Sequence, residues 1–316
     1  MSTSVLLVGG FGNLGGRIAH HLAEKSDCNI VLASRAKREA PTWAKHARVI
    51  QLDTTDPSTF INIPQHVDCI IQLAATNDVD SANNPDFARL VTTDGTMALI
   101  KEAINRHVGR FLYFSTAHVY GSPLVGDLTE LSPTNGTHPY AATHLAAENV
   151  VSEFHEKNEI IGVNVRLSNS YGRPMEFDSG DWRTLTSDLC RQAVVNKRLE
   201  MHTDGQQLRN FVTKTDVVRA VHHLLSLSKD KIGNGVFNLG GSSSQSILSM
   251  AKLIQRRAEL RYAAAVPLTH PEATSENSSS LNFDIHKLLA TGYSLTETAD
   301  QEIDEFLDMI ETHYLK

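Results

Sequence analysis

Residues 5–8 (Val-Leu-Leu-Val) are four apolar positions in a row, too few for a helix and suited to a strand covered on both faces. Gly9, Gly12 and Gly15 follow, and then Ile18, Ala19 and Leu22 at helical spacing. Similar short apolar runs return at 29–35, 48–53, 68–73, 110–115 and 162–167, each predicting a buried strand. Between them lie helical patterns. The first long one spans 83–107, opened by Asn84-Pro85, with Phe87, Leu90, Val91, Ala98, Leu99 and Ile104 on one broad face. Another opens at Pro139-Tyr140 and carries Leu145, Val150, Val151 and Phe154. Strand and helix alternating at this spacing predict an α/β chain with a doubly wound, Rossmann-like parallel sheet. Beyond residue 168 the pattern loosens around Asn169, Gly172-Arg173-Pro174, Ser179-Gly180 and Thr203-Asp204-Gly205, with a helix expected over about 182–196. The stretch from about 211 to 240, with a short strand at 236–239, is expected to return to the main sheet. Residues 1–168 plus that return thus form one predicted domain, and 169–316 mainly a smaller C-terminal one. A last helix over about 298–313 places Ile303, Phe306, Leu307 and Ile310 together, and the Ser-rich stretch 274–280 reads as a loop.

Composition narrows the picture by exclusion. The 316 residues are 41% hydrophobic and 21% charged, ordinary for a globular protein, and carry a net charge of −7. That balance, with no basic stripe interleaved with aromatics, argues against a nucleic-acid partner. No run reaches the roughly 18 apolar residues of a membrane span, and the chain enters its first strand at once, so neither a membrane nor a secretory route is expected. Cys28, Cys69 and Cys190 are odd in number and widely spaced, as for unpaired buried thiols in a reducing cytoplasm. Fifteen histidines are scattered, and the adjacent His222 and His223 cannot face one ligand together, so no metal is assigned.

The chemistry starts at the glycines. A strand, a glycine turn and a helix bring backbone N–H groups and the positive end of a helix dipole to a pyrophosphate. The second strand ends in Ser34 and Arg35, with Lys37 and Arg38 behind and no acid before Glu39. An acid there would accept from a ribose 2′-hydroxyl, whereas cations suit a 2′-phosphate, so NADP is expected over NAD; a solvated basic loop is the other reading. Leu73, Ala74 and Ala75 end the fourth strand in small residues, where a flat cofactor would cross the sheet. Thr116 follows the carboxyl end of the fifth strand, and Tyr140 and His144 share a helix face at i and i+4. A phenol beside a hydroxyl and a redox nucleotide can take a proton from a carbinol while hydride leaves its carbon.

These motifs together resemble the extended short-chain dehydrogenase/reductase family, the nucleotide-sugar epimerase/dehydratase group, over nearly the whole chain. Gly9-x-x-Gly12-x-x-Gly15 resembles its cofactor loop, Gln51-Leu-Asp53 its adenine-side acid and Ile71-Gln-Leu-Ala-Ala75 its strand-four motif. The segment from Phe114 to Gly121 resembles the one holding its catalytic Ser or Thr, and Tyr140-Ala-Ala-Thr-His144 falls on its Tyr-x-x-x-Lys. The segments around Arg166–Gly172 and Arg209–Ala220 resemble its substrate-side motifs, and the one at 236–240 its return strand. The resemblance implies that Tyr140 is the acid/base, that Thr116 orients the reacting hydroxyl, and that Asn169 and Arg209 hold a nucleotide-sugar. It implies that the cofactor lies along Gly9, Phe11, Gly12, Asn13, Leu14, Gly15, Ser34, Arg35, Asp53, Thr54, Leu73, Ala74, Ala75, Ser115, Tyr140 and His144. It also implies a homodimer through the helices near 83–107 and 138–158. Five positions depart from the pattern: His144 replaces the lysine, Ala117-His118 stand where the 4,6-dehydratases carry Asp-Glu, and Thr92 and Gln72 replace a common asparagine and histidine. The expected activity is an NAD(P)-dependent epimerase or ketoreductase on a nucleotide-activated sugar, with dehydratase disfavoured. The alternative is a catalytically weak NADP-binding sensor or scaffold.

Overall fold

The computed structural model describes residues 2–25, 27–179, 182–272, 280–296 and 298–315; all but the last residue of the expected loop 274–280 falls outside them. Seven parallel strands among the described residues make the main sheet: β1 (Thr3–Val8), β2 (Cys28–Ser34), β3 (Arg48–Gln51), β4 (Cys69–Gln72), β5 (Arg110–Thr116), β6 (Ile161–Leu167) and β7 (Val236–Leu239). Their spatial order is β7-β6-β5-β4-β1-β2-β3. The order reverses at β1, which pairs with β2 on one side and β4 on the other, opening a crevice at their carboxyl ends.

Alternation inside each strand explains why both faces are covered. Val5 and Leu7 join Ile18, Ala19 and Leu22 of α1 (Gly15–Ala23) on one side. Leu6 and Val8 join the opposite core, with Leu99, Ile100 and Ala103 of α2 (Gly95–Asn105) and Ala147, Val150 and Val151 of α3 (Pro139–Glu156). The expected strand 236–239 is β7 and pairs with β6. The predicted helix over 83–107 is not continuous. Asn77 and Asn84 each cap a short helix, Asp78–Asn83 and Pro85–Ala88, and a wider π-type turn at Arg89–Asp94 precedes α2. Asn84 takes a non-helical backbone to accept from the Phe87 N–H, and that breaks the run.

Beyond β6, α4 (Leu185–Val195), α6 (Ile247–Tyr262) and α7 (Ala299–Tyr314) pack a third core through Leu189, Ile254, Ile303 and Phe306. α4 starts three residues later than expected, and α6 was not expected at all. α5 (Lys214–Ser226) covers the α1 side of the main sheet through Val217, Val221 and Leu224. A small sheet of Ser244–Ser246, Leu208–Thr213 and Asn169–Tyr171 stands at the carboxyl edge of the main one.

Candidate active site

The glycine turn is built by close approach. Gly9 has φ 90°, and its carbonyl accepts from the Gly12 N–H at 3.0 Å. A β-carbon on Gly15 would fall 2.1 Å from that same Gly9 oxygen. No side chain caps the start of α1, so apart from the Gly16 N–H, which donates to the Gly12 carbonyl at 3.0 Å, its first-turn N–H groups are offered to a ligand. Leu73 and Ala74 lie against Gly9, which brings the end of β4 to the turn. Asn13 is held from behind, its Oδ1 accepting from Lys214 Nζ, which also donates to the Gly172 carbonyl at 2.7 Å.

At the end of β2, Ser34 is half-buried while Arg35, Lys37 and Arg38 are exposed. The Arg38 guanidinium sits 5.0 Å from the centre of the Phe11 ring, and Gln51 donates to the Arg35 carbonyl at 3.0 Å. Asp53 accepts from the backbone and hydroxyl of Thr55. Thr54 is buried and packs against Gly95, which places its side chain in the core.

The carboxyl ends of β5 and β6 wall a cavity of about 600 Å³ lined by Thr116, Tyr140, Asn169, Arg209 and, at its cofactor end, Asn13. The structure thus brings Thr116, Tyr140, Asn169 and Arg209 to one space, with Asn13 of the turn, but not His144, the third predicted catalytic residue. Asn169 is steadied by donating to the Asn210 carbonyl at 3.0 Å. Thr116 Oγ1 accepts from the His118 N–H at 3.2 Å and lies close enough to the Tyr140 phenol to pull its pKa down. Burial is the larger influence and leaves that pKa above the ordinary 10.

His144 does not line this cavity. It is buried behind Tyr140, their ring centres 4.6 Å apart in edge-to-face contact, and its Nδ1 lies 2.7 Å from the Tyr113 hydroxyl. Burial lowers its pKa to about 4, with the Phe114 carbonyl opposing weakly, so the ring is neutral near neutral pH. His118 opens into the cavity with its ring centre 6.5 Å from that of Tyr140; burial, then the charge of Arg209, lower its pKa.

Sequence reasoning missed Asp78, Ser168 and Arg183, which also line the cavity. Asp78 begins a short helix, Asp78–Asn83, in the stretch between the fourth strand and the helix expected over 83–107, to which the sequence assigned no element. Eight side-chain polar atoms among the described residues are buried with no hydrogen-bond partner, and four of them, Gln72 Oε1, Ser115 Oγ, His144 Nε2 and Ser168 Oγ, belong to β4, β5, the residue after β6, or α3. Unsatisfied polar atoms near the carboxyl ends of the strands, beside a glycine turn too tight for β-carbons, fit a bound dinucleotide. No group of three or more His, Cys, Asp or Glu is placed to hold a metal among the described residues, and no helix among them is long and apolar enough to cross a membrane.

Comparison with known proteins agrees with this geometry. A family model described as the NAD dependent epimerase/dehydratase family matches residues 5–240. The chain is 31% identical over 264 residues to dTDP-D-glucose 4,6-dehydratase of Bos taurus, covering 79% of this chain and 72% of that one. It is 25% identical over 258 residues to the low-salt glycan biosynthesis protein Agl12 of Haloferax volcanii, covering 79% and 81%. Among solved structures, UDP-N-acetylglucosamine 4-epimerase from Methanobrevibacter ruminantium superposes with a TM-score of 0.81 at 20% identity, over 99% of both chains. UDP-glucuronic acid 4-epimerase from Bacillus cereus gives 0.79 at 23% identity, over 99% of this chain and 100% of that one.

Proposed function

The chain belongs to the NAD dependent epimerase/dehydratase family, and from that premise we propose that it is an NADP-dependent epimerase or ketoreductase acting on a nucleotide-activated sugar. The observation that carries the reading is the shared wall of Thr116 and Tyr140 in a cavity that runs from Asn13 of the glycine turn to Asn169 and Arg209. A bound nicotinamide would accept or return the hydride. The protein's part is to place a sugar hydroxyl against Thr116 and Tyr140 and to move its proton. Tyr140 takes the hydroxyl proton as hydride leaves the same carbon, and gives it back when hydride returns. Return to the opposite face of the transient ketone inverts the centre; reduction of a supplied ketosugar is the same step run once. Arg209 suits a phosphate oxygen, and Asn169 the nucleoside or phosphate end.

Arg35, Lys37 and Arg38 beyond Ser34 support NADP through their charge, with Phe11 and Arg38 making one cationic-aromatic ledge near the turn. We disfavour dehydration: the fifth strand leads into Ala117 and His118, which offer no carboxyl pair beside Tyr140. Phe87 and Leu90, 43% and 41% exposed on the short helix and π-type turn before α2, support self-association through that face. The neutral, buried His144 supports the second reading, a cofactor-binding protein with little turnover.

The test is incubation of the purified chain with UDP- and dTDP-hexoses and 4-ketohexoses. NADPH oxidation is followed by absorbance and epimer formation by proton NMR, beside a direct NADP titration. Turnover that disappears in Tyr140→Phe supports the enzyme. Tight NADP binding with no turnover on the panel supports the sensor, and failure to bind either nicotinamide nucleotide overturns both.

A further inference from the structure

We propose that Tyr113, which does not line the cavity, is a positioning residue that fixes the tautomer and ring plane of His144 and, through that ring, the attitude of the Tyr140 phenol. The inference rests on the reading of Tyr140 as the acid/base group.

Tyr113 stands in the middle of β5, 1% exposed, and its hydroxyl finds one hydrogen-bond partner among the described residues, His144 Nδ1 at 2.7 Å. The His144 ring is wedged between two phenols. Its centre lies 5.8 Å from that of Tyr113 and 4.6 Å from that of Tyr140. Tyr113 comes from the sheet, whereas Tyr140 and His144 stand at i and i+4 on α3, so the one hydrogen bond pins the helix-borne pair to the sheet.

Two tautomers would fill that bond, and they are not equivalent. With the proton on Nδ1, the ring donates and the buried Tyr113 O–H is left with no acceptor. With the proton on Nε2, Tyr113 donates to Nδ1 and its buried hydroxyl is satisfied; Nε2 has no hydrogen-bond partner among the described residues, and the Phe114 carbonyl, whose pull opposes burial at this ring, is the acceptor on offer to its N–H. The second arrangement is the one the surroundings select. Burial, with Glu148 and Tyr140 adding to it, pushes the Tyr113 phenol well above its ordinary pKa, so it is a neutral O–H that needs an acceptor, and His144 Nδ1 is the partner within reach. Glu148, the carboxylate nearest this group on α3, does not compete for the ring. Both of its oxygens are engaged by Arg166, at 2.7 to 3.1 Å. The ring is therefore neutral, protonated on Nε2 and unable to turn over without losing its only strong bond. Edge-to-face contact then transmits that fixed plane to Tyr140, whose hydroxyl has to meet a substrate proton within a few tenths of an ångström.

A double-mutant cycle tests the link, with Tyr113→Phe, His144→Ala and the pair measured for kcat, KM, NADP affinity and pH profile. Tyr113→Phe is expected to lower kcat about tenfold, the worth of one buried hydrogen bond, while KM and NADP affinity stay within twofold. In the His144→Ala background the same substitution is expected to change kcat less than twofold, because nothing remains to carry the effect. Equal losses in both backgrounds overturn the proposal. Tyr140→Phe runs beside the cycle: if it retains turnover, the acid/base reading fails, whereas if it is dead and Tyr113→Phe is fully active, only the Tyr113 link fails. Ring ¹⁵N NMR of histidine-labelled protein gives a readout independent of turnover. The expected result is a neutral Nε2–H tautomer for His144 whose bias is lost in Tyr113→Phe; an Nδ1–H tautomer in the parent overturns the proposal.

Discussion

The carbonyl oxygen of Gly9 occupies the place that a side chain on Gly15 would need: a β-carbon there would fall 2.1 Å from it. The contact is between backbone atoms at the start of α1 and the end of β1, so neither can swing aside. Gly15→Ala has to push the helix start away from the turn, at about 1–3 kcal/mol of stability by the usual cost of overpacking. The same displacement withdraws the N–H groups that would meet a pyrophosphate. The expected outcome is a fold that survives with a lower melting temperature and at least a tenfold weaker NADP titration. Unchanged affinity in a folded Gly15→Ala variant would remove the turn from the cofactor site.

Cofactor choice is tested at the end of β2. Arg35 and Arg38 are exposed there, and Arg38 packs over Phe11. If they face a 2′-phosphate, Arg35→Ala and Arg38→Ala each weaken NADP by about tenfold, the scale of one charge-assisted hydrogen bond. NAD affinity, lacking that phosphate, is expected to move less than twofold. Parallel fluorescence titrations with both nucleotides decide it, and equal losses for the two would leave these cations as solvated surface.

How much of this was legible in the sequence follows from where the information sits. The apolar runs of β1, β2, β4, β5 and β6 announced themselves because a strand buried on both faces needs no polar alternation. Residues 83–107 misled because a capped break at Asn84 and a π-type turn preserve the apolar face that a straight helix would show. α6 carries Ile247, Met250, Ala251, Ile254 and Ala258 at helical spacing, but a narrow stripe among Arg256, Arg257 and Arg261 reads as polar. Those arginines are explained only by α7, where Asp300, Asp304, Asp308 and Glu311 face them. Tyr140 and Thr116 were found through their motif. Tyr113 was not, since a tyrosine inside a buried strand looks like core until its hydroxyl partner is seen.

His144 also sets a pH dependence. Its folded pKa of about 4 lies below the ordinary 6.5, so between those values the unfolded chain binds the proton and the native chain does not. Stability from this group is therefore full above about pH 6.5 and is lost as pH falls toward 4, by about 3 kcal/mol over the window. His21, also lowered to about 4, adds a share of the same sign. Denaturant midpoints measured from pH 7 to 4 are expected to fall, and to fall less steeply in His144→Gln. The activity profile carries the other half of the argument. A neutral imidazole gives Tyr140 no cationic help, so oxidation of a sugar hydroxyl is expected to keep rising above pH 8. His144→Lys is expected to move that limb to lower pH. An unmoved limb would mean that the residue at 144 does not act on Tyr140.

Asp78 supplies the remaining lever, because it lines the cavity and its charge adds to the upward shift that burial gives Tyr140 while opposing the net lowering at His118. A fixed negative charge at that wall repels a second one brought by a ligand, and Asp78→Asn removes it with little change of shape. Sugar nucleotides whose sugar ends in a carboxylate are therefore expected to bind more weakly than their neutral hexose counterparts. The variant is expected to narrow that gap by about fivefold and to shift the alkaline limb of activity to lower pH. The neutral hexose measured in the same titration separates the effect from general damage, since its affinity is expected to stay within twofold. A gap that does not narrow would place the sugar's distal end away from Asp78 and against the wall formed by Leu185 and Phe211.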